Sequence, residues 1–417
     1  MLDLVKHLKR AMSNRYIQHY ESLLNDLESQ SLRRKLKVSD SPSAPVMKIN
    51  GQDMLTFCSN DYLGLANHPD IAAAMIHGAT IYGGGSGASH MISGHSLAHD
   101  QLERALATTQ AKHIPHVKGL FFSTGYMANM AAITGISAGL GNNQVMSIFS
   151  EELNHASLID GVRLANKQNS AKVYVYPHQD LVALEKLLSE DSNRFKLIVT
   201  DGVFSMDGNI ASVNQLLALA EKYDALLLID DAHGFGVLGD DGHGILSLFK
   251  IDAHNAAASR IIYVGTLGKA AGLSGAFIAA HEHLTEWIMQ KGRAYIYTTA
   301  SPPAIAHGLL KSLDLLGQAK YRNALHKNIA YWREHLKLNK WQLIESLTAI
   351  QPIVIGSNED ALRVAEALYK KNIWVPAIRP PTVPAGTARL RITLSASHTT
   401  EQIDQLINAI SEVENAF

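Results

Sequence analysis

The stretch IYVGTLGKAAGLSG, residues 262–275, decides most of what the sequence predicts about fold and chemistry. It begins as an apolar run typical of a buried strand and continues into glycines and small residues around Lys269. An exposed lysine in a solvated turn is the alternative, but these neighbours are too small and apolar for one. Desolvation favours the neutral amine, the form that attacks a carbonyl carbon. The pattern G-x-x-x-x-G-K-[ST] is absent, so this is not a phosphate-binding P-loop.

Short apolar runs recur on both sides of this stretch and alternate with helical spacing. They are continuous rather than alternating, which predicts a sheet covered on both faces. Strand–helix–strand repetition predicts an α/β domain with a mainly parallel sheet. The strand-like runs are 119–122, 173–176, 197–200, 225–229, 261–264 and 276–279.

Changes of pattern divide the chain into three parts. Prolines and serines at 40–45 interrupt the first helical pattern, because proline lacks an amide donor. We predict an N-terminal helical arm at 1–45 with a helix over 2–36, a large domain at 46–304 and a smaller α+β domain at 305–417. In the last part we expect helices at 305–316, 323–336, 359–370 and 400–413, the final one capped by Thr399 or Thr400, and strands at 353–355, 374–375 and 389–394.

Polar residues follow several of the predicted strands, where parallel sheets bind their ligands. Asp230 and His233 close the run 225–229. Asp-Asp-Ala-His supplies too few ligands for a metal, and a carboxylate here can instead hold a heterocyclic nitrogen protonated. Gly125 and Tyr126 stand where a strand turns into a helix, whose free N–H groups suit a phosphate. His155 is the centre of a further polar patch, N-H-A-S.

Composition excludes several other classes of protein. The 417 residues are 47% hydrophobic and carry 37 Lys and Arg against 38 Asp and Glu. A disordered chain is thereby excluded, and a nucleic-acid binder would show a basic excess. The single cysteine, Cys58, allows no internal disulfide and no cysteine-based zinc site. With no apparent secretory signal and no apolar run of about 18 residues, we expect a cytoplasmic protein.

Taken together, T-x-G-K ending at Lys269, D-D-A-H-G at 230–234, G-V-F-S-M-D-G at 202–208 and N-H-A-S at 154–157 resemble the α-oxoamine synthases. The runs at 57–65 and 83–89 are similar to that family as well. His90 and Tyr126 depart from it, since many relatives carry Arg and Phe or His there. The resemblance implies a fold-type I pyridoxal 5'-phosphate (PLP) transferase, with a mainly parallel central sheet flanked by helices. It also implies a homodimer with active sites at the interface.

The resemblance implies a role for each matching residue. Lys269 would carry PLP as a Schiff base and transfer the substrate proton, Asp230 would pair with the pyridine N–H, and His155 would stack on the ring. The other implied cofactor contacts are Gly125, Tyr126, Ser205, His233 and Thr266, with Thr298 or Thr299 at the phosphate of the neighbouring subunit. The implied substrate contacts are Arg33, Asn60, His155, Arg379 and Thr382, with Arg379 at a carboxylate.

Within the family, residues 374–391 are most similar to members of biotin biosynthesis. These condense L-alanine with pimeloyl-CoA or pimeloyl-acyl carrier protein and release CO₂. Glycine C-acetyltransferase, 5-aminolevulinate synthase and serine palmitoyltransferase share the PLP residues and remain alternatives. A non-catalytic partner subunit of the same fold should lack the lysine, which is present here. No metal, nucleic acid or membrane is expected as a partner.

Overall fold

A computed structural model describes residues 14–30, 32–141 and 144–417 of the chain. The strands are β1 (Val46–Ile49), β2 (Gln52–Thr56), β3 (Val117–Phe122), β4 (Met146–Glu151), β5 (Lys172–Tyr176), β6 (Phe195–Asp201), β7 (Ala225–Asp230), β8 (Ile261–Thr266), β9 (Ala276–His281), β10 (Gln342–Leu343), β11 (Ile350–Gly356), β12 (Ile373–Trp374), β13 (Ala377–Ile378) and β14 (Ala388–Thr393). The helices are α1 (Arg15–Ser29), α2 (Pro69–Tyr82), α3 (Leu97–Gln110), α4 (Gly125–Ile136), α5 (Ala156–Asn169), α6 (Leu181–Glu190), α7 (Val213–Lys222), α8 (Ile245–Leu248), α9 (Glu282–Lys291), α10 (Arg293–Ile296), α11 (Pro303–Leu316), α12 (Ala319–His335), α13 (Asn358–Lys370) and α14 (Thr400–Ala416).

A seven-stranded sheet in the order β3-β9-β8-β7-β6-β4-β5 forms the centre of the fold. The pairs β5–β4, β4–β6, β6–β7 and β7–β8 are parallel, and β9 is antiparallel to both β8 and β3. Successive residues of a strand point to opposite faces. Accordingly, Ile198, Leu227 and Tyr263 enter one buried cluster, while their neighbours in sequence enter the other. The predicted α/β sheet, mainly parallel and covered on both faces, is confirmed.

Strand β4 was absent from the sequence prediction because serines interrupt its apolar residues. All six of its residues are nevertheless buried. Its polar side chains are satisfied internally, since Ser147 Oγ donates to Asp191 Oδ1 at 3.0 Å and the Glu151 carboxylate accepts from His178 Nδ1 at 2.7 Å. Buried polar groups with partners do not destabilise a strand, so the interrupted pattern still forms one.

Two smaller sheets involve the C-terminal part of the chain. One has the order β10-β11-β14-β13; helix α13 packs close to it, and α14 packs against α13. The other joins the hairpin β1–β2 to the distant strand β12 by parallel pairing. The predicted cap of the last helix is confirmed, because the Thr399 hydroxyl accepts from Gln402 N. The division into 1–45, 46–304 and 305–417 stays a prediction.

The predicted helix over 2–36 is wrong at its C-terminal end. Helix α1 stops at Ser29, whose hydroxyl donates to the Asp26 carbonyl at 2.8 Å, and residues 32–38 are not helical. Serine competes for backbone groups in this way and so favours helix ends. The first part of the prediction, residues 1–13, lies outside the described residues. Across the described helices, none combines the length and apolar character that crossing a membrane requires.

Candidate active site

The polar residues predicted at strand ends meet at one edge of the central sheet. Strands β6, β7 and β8 are neighbours and parallel, so Asp201, Asp230 and Thr266, which end them, lie side by side. Lys269 follows three residues beyond Thr266. This edge is where open parallel sheets bind ligands.

A tight turn holds Lys269 at this edge. Leu267 N donates to Gly275 O at 2.8 Å, and Gly272 N donates to Lys269 O at 2.9 Å. Gly272 adopts a φ of +74°, and a Cβ there would approach the Leu65 carbonyl carbon to 2.5 Å. Burial lowers the pKa of Lys269 to about 8, although the carboxylates of Asp230 and Asp201 oppose the shift. The structure therefore confirms the predicted desolvation of Lys269.

The Lys269 amine is one end of a buried chain of polar side chains. Its Nζ lies 2.8 Å from His233 Nε2, and His233 Nδ1 lies 2.5 Å from the Tyr62 hydroxyl. Tyr62 donates to Asn60 Oδ1 at 3.3 Å, and Arg391 Nη1 donates to the same oxygen at 3.3 Å. Burial lowers the pKa of His233 well below its ordinary value, and the positive charges of Lys269 and Arg391 add to this. We call this chain the lysine relay.

Asp230 is fixed by two donors. Asn129 Nδ2 donates to its Oδ2 at 2.6 Å and Ala232 N donates to its Oδ1 at 2.9 Å. The same Asn129 amide reaches Ser157 Oγ at 2.8 Å, and Ser157 Oγ lies 2.7 Å from His155 Nδ1. The carboxylate and the histidine ring are thus oriented by one buried asparagine.

His155 is also held through its backbone. As the N-cap of α5, it donates its N–H to Asp201 Oδ2 at 2.7 Å, and Asp201 N in turn donates to Asn154 Oδ1 at 2.8 Å. Burial, together with the nearby charge of Asp230, raises the pKa of Asp201 well above its ordinary value. Burial lowers the pKa of His155, which favours a neutral ring despite Asp230.

The start of α4 offers a site for an anion. Thr124 caps the helix by accepting from Met127 N at 3.2 Å, while the Gly125 and Tyr126 amides have no acceptor among the described residues. A Cβ on Gly125 would lie 3.8 Å from Thr266 Oγ1, which places the helix start beside the end of β8. Free first-turn amides at the positive helix end bind phosphate. The Tyr126 side chain points elsewhere and donates to Asp160 at 2.5 Å.

Thr298 and Thr299 lie outside this group. They follow α10, with Thr299 exposed and Thr298 half-buried. The next residue, Ala300, binds the glycine-rich segment 83–89: its N–H donates to Ala88 O at 3.0 Å and its carbonyl accepts from Ser86 Oγ at 2.5 Å.

Arg379 and Thr382 line a separate cavity of about 400 Å³ that also receives Leu27, Leu32 and Arg34. Burial and the positive charge of Arg34 lower the pKa of Arg379. Two cations facing one cavity suit an anionic ligand such as a carboxylate. Arg33, the residue predicted from the sequence, instead pairs with Glu28 at 3.6 Å.

The residues at the sheet edge fit PLP by their chemistry. A lysine with a lowered pKa suits the aldehyde, an anchored carboxylate suits the pyridine nitrogen, and free amides beside a threonine hydroxyl suit the phosphate. His233 is buried beside them, whereas His155 is exposed at the same edge. The Ser205 hydroxyl makes no hydrogen bond to the described residues, but the Ser205 carbonyl accepts from Arg391 Nε at 2.6 Å.

Sequence reasoning missed three residues that organise the site: Tyr62, Asn129 and Arg391. Tyr62 and Arg391 occur in quoted motifs, yet their contacts join positions up to 331 residues apart, which no local pattern reveals. Asn129 sits on a helix whose other positions are mostly small and apolar. An asparagine in such an apolar stretch was the one signal that pointed to it.

Comparison with known proteins gives a consistent result. The sequence profile of the family aminotransferase class I and II matches residues 52–410. An 8-amino-7-oxononanoate synthase of Janthinobacterium sp. (strain Marseille) is 54% identical over 404 residues, covering 96% of this chain and 99% of that protein. The same enzyme of Bordetella petrii is 50% identical, covering 96% and 98%.

Solved structures of related enzymes have the same fold. Serine palmitoyltransferase from S. paucimobilis with a bound PLP-myriocin aldimine has a TM-score of 0.84 and 27% identity, covering 97% of this chain and 99% of that one. The 8-amino-7-oxononanoate synthase of Francisella tularensis has a TM-score of 0.71 and 32% identity, covering 87% and 98%.

Proposed function

The chain belongs to the aminotransferase class I and II family and, within it, to the 8-amino-7-oxononanoate synthases, and from this premise we propose the substrates, the residue roles and the assembly that follow. It is a PLP-dependent C-acyltransferase of biotin biosynthesis with a fold-type I architecture. The substrates are L-alanine and a pimeloyl thioester, carried by CoA or by an acyl carrier protein.

The observation that carries this proposal is a lysine of lowered pKa between an anchored carboxylate and a histidine. Bound PLP supplies an electron sink for the charge that develops at the substrate Cα. Asp230, held by Asn129 and Ala232, keeps a proton on the pyridine nitrogen. His155 would stack on the ring of bound PLP, and its own ring is oriented by Ser157 Oγ, 2.7 Å from its Nδ1.

Lys269 takes the proton from the alanine Cα and later returns one. With a pKa of about 8, roughly a tenth of the amine is neutral at pH 7. At the same pH, an ordinary lysine with a pKa near 10.4 would have about 2,500 protonated amines for each neutral one. His233, the next residue of the lysine relay, also orients the Lys269 amine, so that the lone pair of its neutral form points toward the substrate Cα.

The bond changes balance when one proton is taken up from solvent. A C–C bond forms between the alanine Cα and the thioester carbonyl carbon, the C–S bond breaks, and the thiol leaves with a proton. The bond to the former carboxylate then breaks, CO₂ departs and a proton returns to Cα. Arg379 binds the substrate carboxylate in the cavity that Thr382 also lines, and Arg34, which lines it too, faces the acyl donor. Asn60 contacts the substrate from the lysine relay, whereas Arg33 is paired with Glu28.

The active form is a homodimer. Thr299 is exposed and Thr298 half-buried, although both belong to the predicted phosphate site, so a second chain is needed to receive them. Helix α1 presents Leu23, Leu24 and Leu27 at 40–43% exposure, an apolar stripe that a second chain would cover. Cytoplasmic location is part of the proposal and is supported by the single free cysteine.

A substrate screen tests the reaction. The PLP-loaded protein is assayed with L-alanine, glycine or L-serine against pimeloyl-, acetyl-, succinyl- and palmitoyl-CoA. The proposal expects the highest kcat/KM for L-alanine with the pimeloyl donor. A preference for glycine with acetyl-CoA, or for L-serine with palmitoyl-CoA, would assign the chain to a sister reaction instead.

A further inference from the structure

Three metal-ligating side chains outside the active site converge beside the loop that follows β7. One nitrogen of His113, one nitrogen of His243 and one carboxylate oxygen of Asp241 lie within 4.8 Å of one another. His113 belongs to the turn after α3, and the other two belong to the loop at 238–244. We call these three residues the loop cluster. None of them takes part in the lysine relay or contacts Asp230.

His113 presents a lone pair that nothing in the described chain uses. Its Nδ1 donates to the Ile251 carbonyl at 2.7 Å, which places the ring proton on Nδ1. The other nitrogen, Nε2, is buried without a hydrogen-bond partner among the described residues, and the residue is only 6% exposed. A histidine whose second nitrogen donates to a backbone carbonyl is the usual arrangement of a metal ligand.

His243 and Asp241 present two further unused lone pairs. His243 Nδ1 is buried and has no hydrogen bond within the described part of the chain, although it lies 3.1 Å from Asp241 Oδ2. Asp241 Oδ1 is occupied, since it accepts from Ser247 Oγ at 2.6 Å and from His243 N at 3.0 Å. Its Oδ2 accepts no hydrogen bond among the described residues and lies 3.1 Å from His243 Nδ1.

The spacing of these atoms suits a tetrahedral ion. Zinc binds imidazole nitrogen and carboxylate oxygen at about 2.0–2.2 Å, so two ligand atoms of one tetrahedron lie about 3.3 Å apart. The Asp241–His243 separation of 3.1 Å is already close to that value. Since the separations are within 4.8 Å, closing the site around an ion requires shifts of at most about 1.5 Å (4.8 − 3.3).

We propose that the loop cluster binds one Zn²⁺ ion, with His113, Asp241 and His243 as ligands and solvent in the fourth position. Two imidazoles favour zinc over Mg²⁺ or Ca²⁺, which prefer all-oxygen sites. The positive charges of Lys112 and Arg322 lie near His243 and oppose any cation, so the two imidazoles and the carboxylate must outweigh them.

The ion would fasten the loop to the main body of the domain. At its far end the loop is already tied to the sheet, because Ile245 N donates to Asp231 Oδ2 at 2.7 Å. Asp231 is the residue after Asp230, and its carboxylate also accepts from Tyr263 at 2.8 Å. The end of α3 also holds the loop, because Gln110 Nε2 donates to the His243 carbonyl at 2.9 Å. A zinc ion at the loop cluster would reinforce this tie between the loop and the turn after α3.

A second histidine cluster, His90, His95 and His99, provides an internal comparison. Its ligand atoms also lie within 4.8 Å of one another. However, His99 accepts from Ser96 N at 3.1 Å and donates to Ser301 O at 2.9 Å, so both of its nitrogens are engaged. His90 and His95 pair with each other through Nδ1 at 3.0 Å. Hydrogen bonds within the protein thus engage the nitrogens of this second cluster, whereas His113 Nε2 and His243 Nδ1 of the loop cluster have no such partner among the described residues.

Metal analysis of the full-length, PLP-loaded protein tests the proposal. The protein is dialysed against a chelator, given one equivalent of Zn²⁺, desalted and analysed by plasma mass spectrometry, and a chromophoric competitor gives Kd. We expect about one Zn²⁺ per chain, and Co²⁺ in its place should give visible d–d bands. In His243→Asn and Asp241→Asn the Kd should weaken by at least about 100-fold, because each loses a direct ligand.

His254→Asn is the matched control, because His254 is an exposed histidine on a nearby loop and should leave zinc binding unchanged. Asp241→Asn keeps the shape of the side chain, so it decides the question if His243→Asn does not fold. Failure of the wild-type protein to retain Zn²⁺ would overturn the proposal and assign the unused lone pairs to water. Retention by the double variant Asp241→Asn/His243→Asn would also overturn it and place the ion elsewhere.

Discussion

Replacing Asn129 by alanine should weaken PLP binding and catalysis through Asp230. Asn129 is fully buried and supplies one of the two hydrogen bonds that the Asp230 carboxylate accepts. A hydrogen bond to a charged group contributes about 1.5–3 kcal/mol, and each 1.36 kcal/mol is a factor of ten. If losing this hydrogen bond weakens the interaction of Asp230 with the pyridine nitrogen by the same energy, PLP affinity or kcat/KM should fall about 10- to 150-fold. Absorbance titration of the apoprotein with PLP gives the affinity, and steady-state assays give kcat and KM separately.

Asn166→Ala is the control for a general loss of packing. Asn166 also donates one side-chain hydrogen bond, to the Ala171 carbonyl at 2.7 Å, but lies at the far end of α5. Both variants should lose stability in urea, whereas only Asn129→Ala should lose PLP affinity. If Asn129→Ala bound PLP and turned over like the wild type, or if both variants lost affinity equally, the positioning of Asp230 by Asn129 would be refuted.

Three further predictions concern the lysine and its turn. Lys269→Ala should abolish turnover and the visible absorption of bound PLP. Lys186→Ala, which replaces an exposed lysine, is the control and should retain both. Turnover by Lys269→Ala above the uncatalysed rate would contradict the role of Lys269. Burial lowers the pKa of Lys269 to about 8, and the neutral amine is the base. The rate at which the alanine Cα hydrogen exchanges with solvent, followed by NMR, should therefore rise about tenfold from pH 7 to 9. A rate that does not change with pH would contradict the role of Lys269 as the base. Gly272→Ala should destabilise the fold by more than about 3 kcal/mol, because a Cβ would lie 2.5 Å from the Leu65 backbone. Gly51→Ala, also at positive φ but with nothing within 4 Å, should cost only about 1 kcal/mol, and equal midpoints of the two variants in urea would contradict the steric argument.

Local chemistry explains why so much of the fold could be predicted. Strands β6, β7 and β8 are buried on both faces, so their residues had to be continuously apolar, and that pattern is visible in the sequence. Lys269 and Asp230 could be identified from the sequence because a charged residue next to a buried apolar strand is unusual unless it has a function. Strand β4 escaped detection because its serines and glutamate are satisfied by partners that the sequence does not reveal.

Contacts between distant segments explain what could not be predicted. The end of α1 depends on where Ser29 bonds back to the chain, and this decides whether Arg33 or Arg34 faces Arg379. The sequence pattern extended the helix and so could not distinguish these neighbours. The unused nitrogens of His113 and His243 are likewise a property of the packed structure, because 130 residues separate the two histidines (243 − 113).

The pairing of the N-terminal hairpin with the C-terminal strands has a consequence for how the enzyme matures. Strand β2 pairs in parallel with β12 at Ile373–Trp374, far along the chain. The Tyr62 carbonyl accepts a hydrogen bond from Ala396 N at 2.8 Å. A chain emerging in order from the ribosome therefore makes the Tyr62 segment first and its support last. Pairings of such long sequence separation form late and slowly. The site is therefore complete only once synthesis has ended, because an unfinished chain can hold Lys269 and Asp230 but lacks the Ala396 amide that binds the Tyr62 backbone.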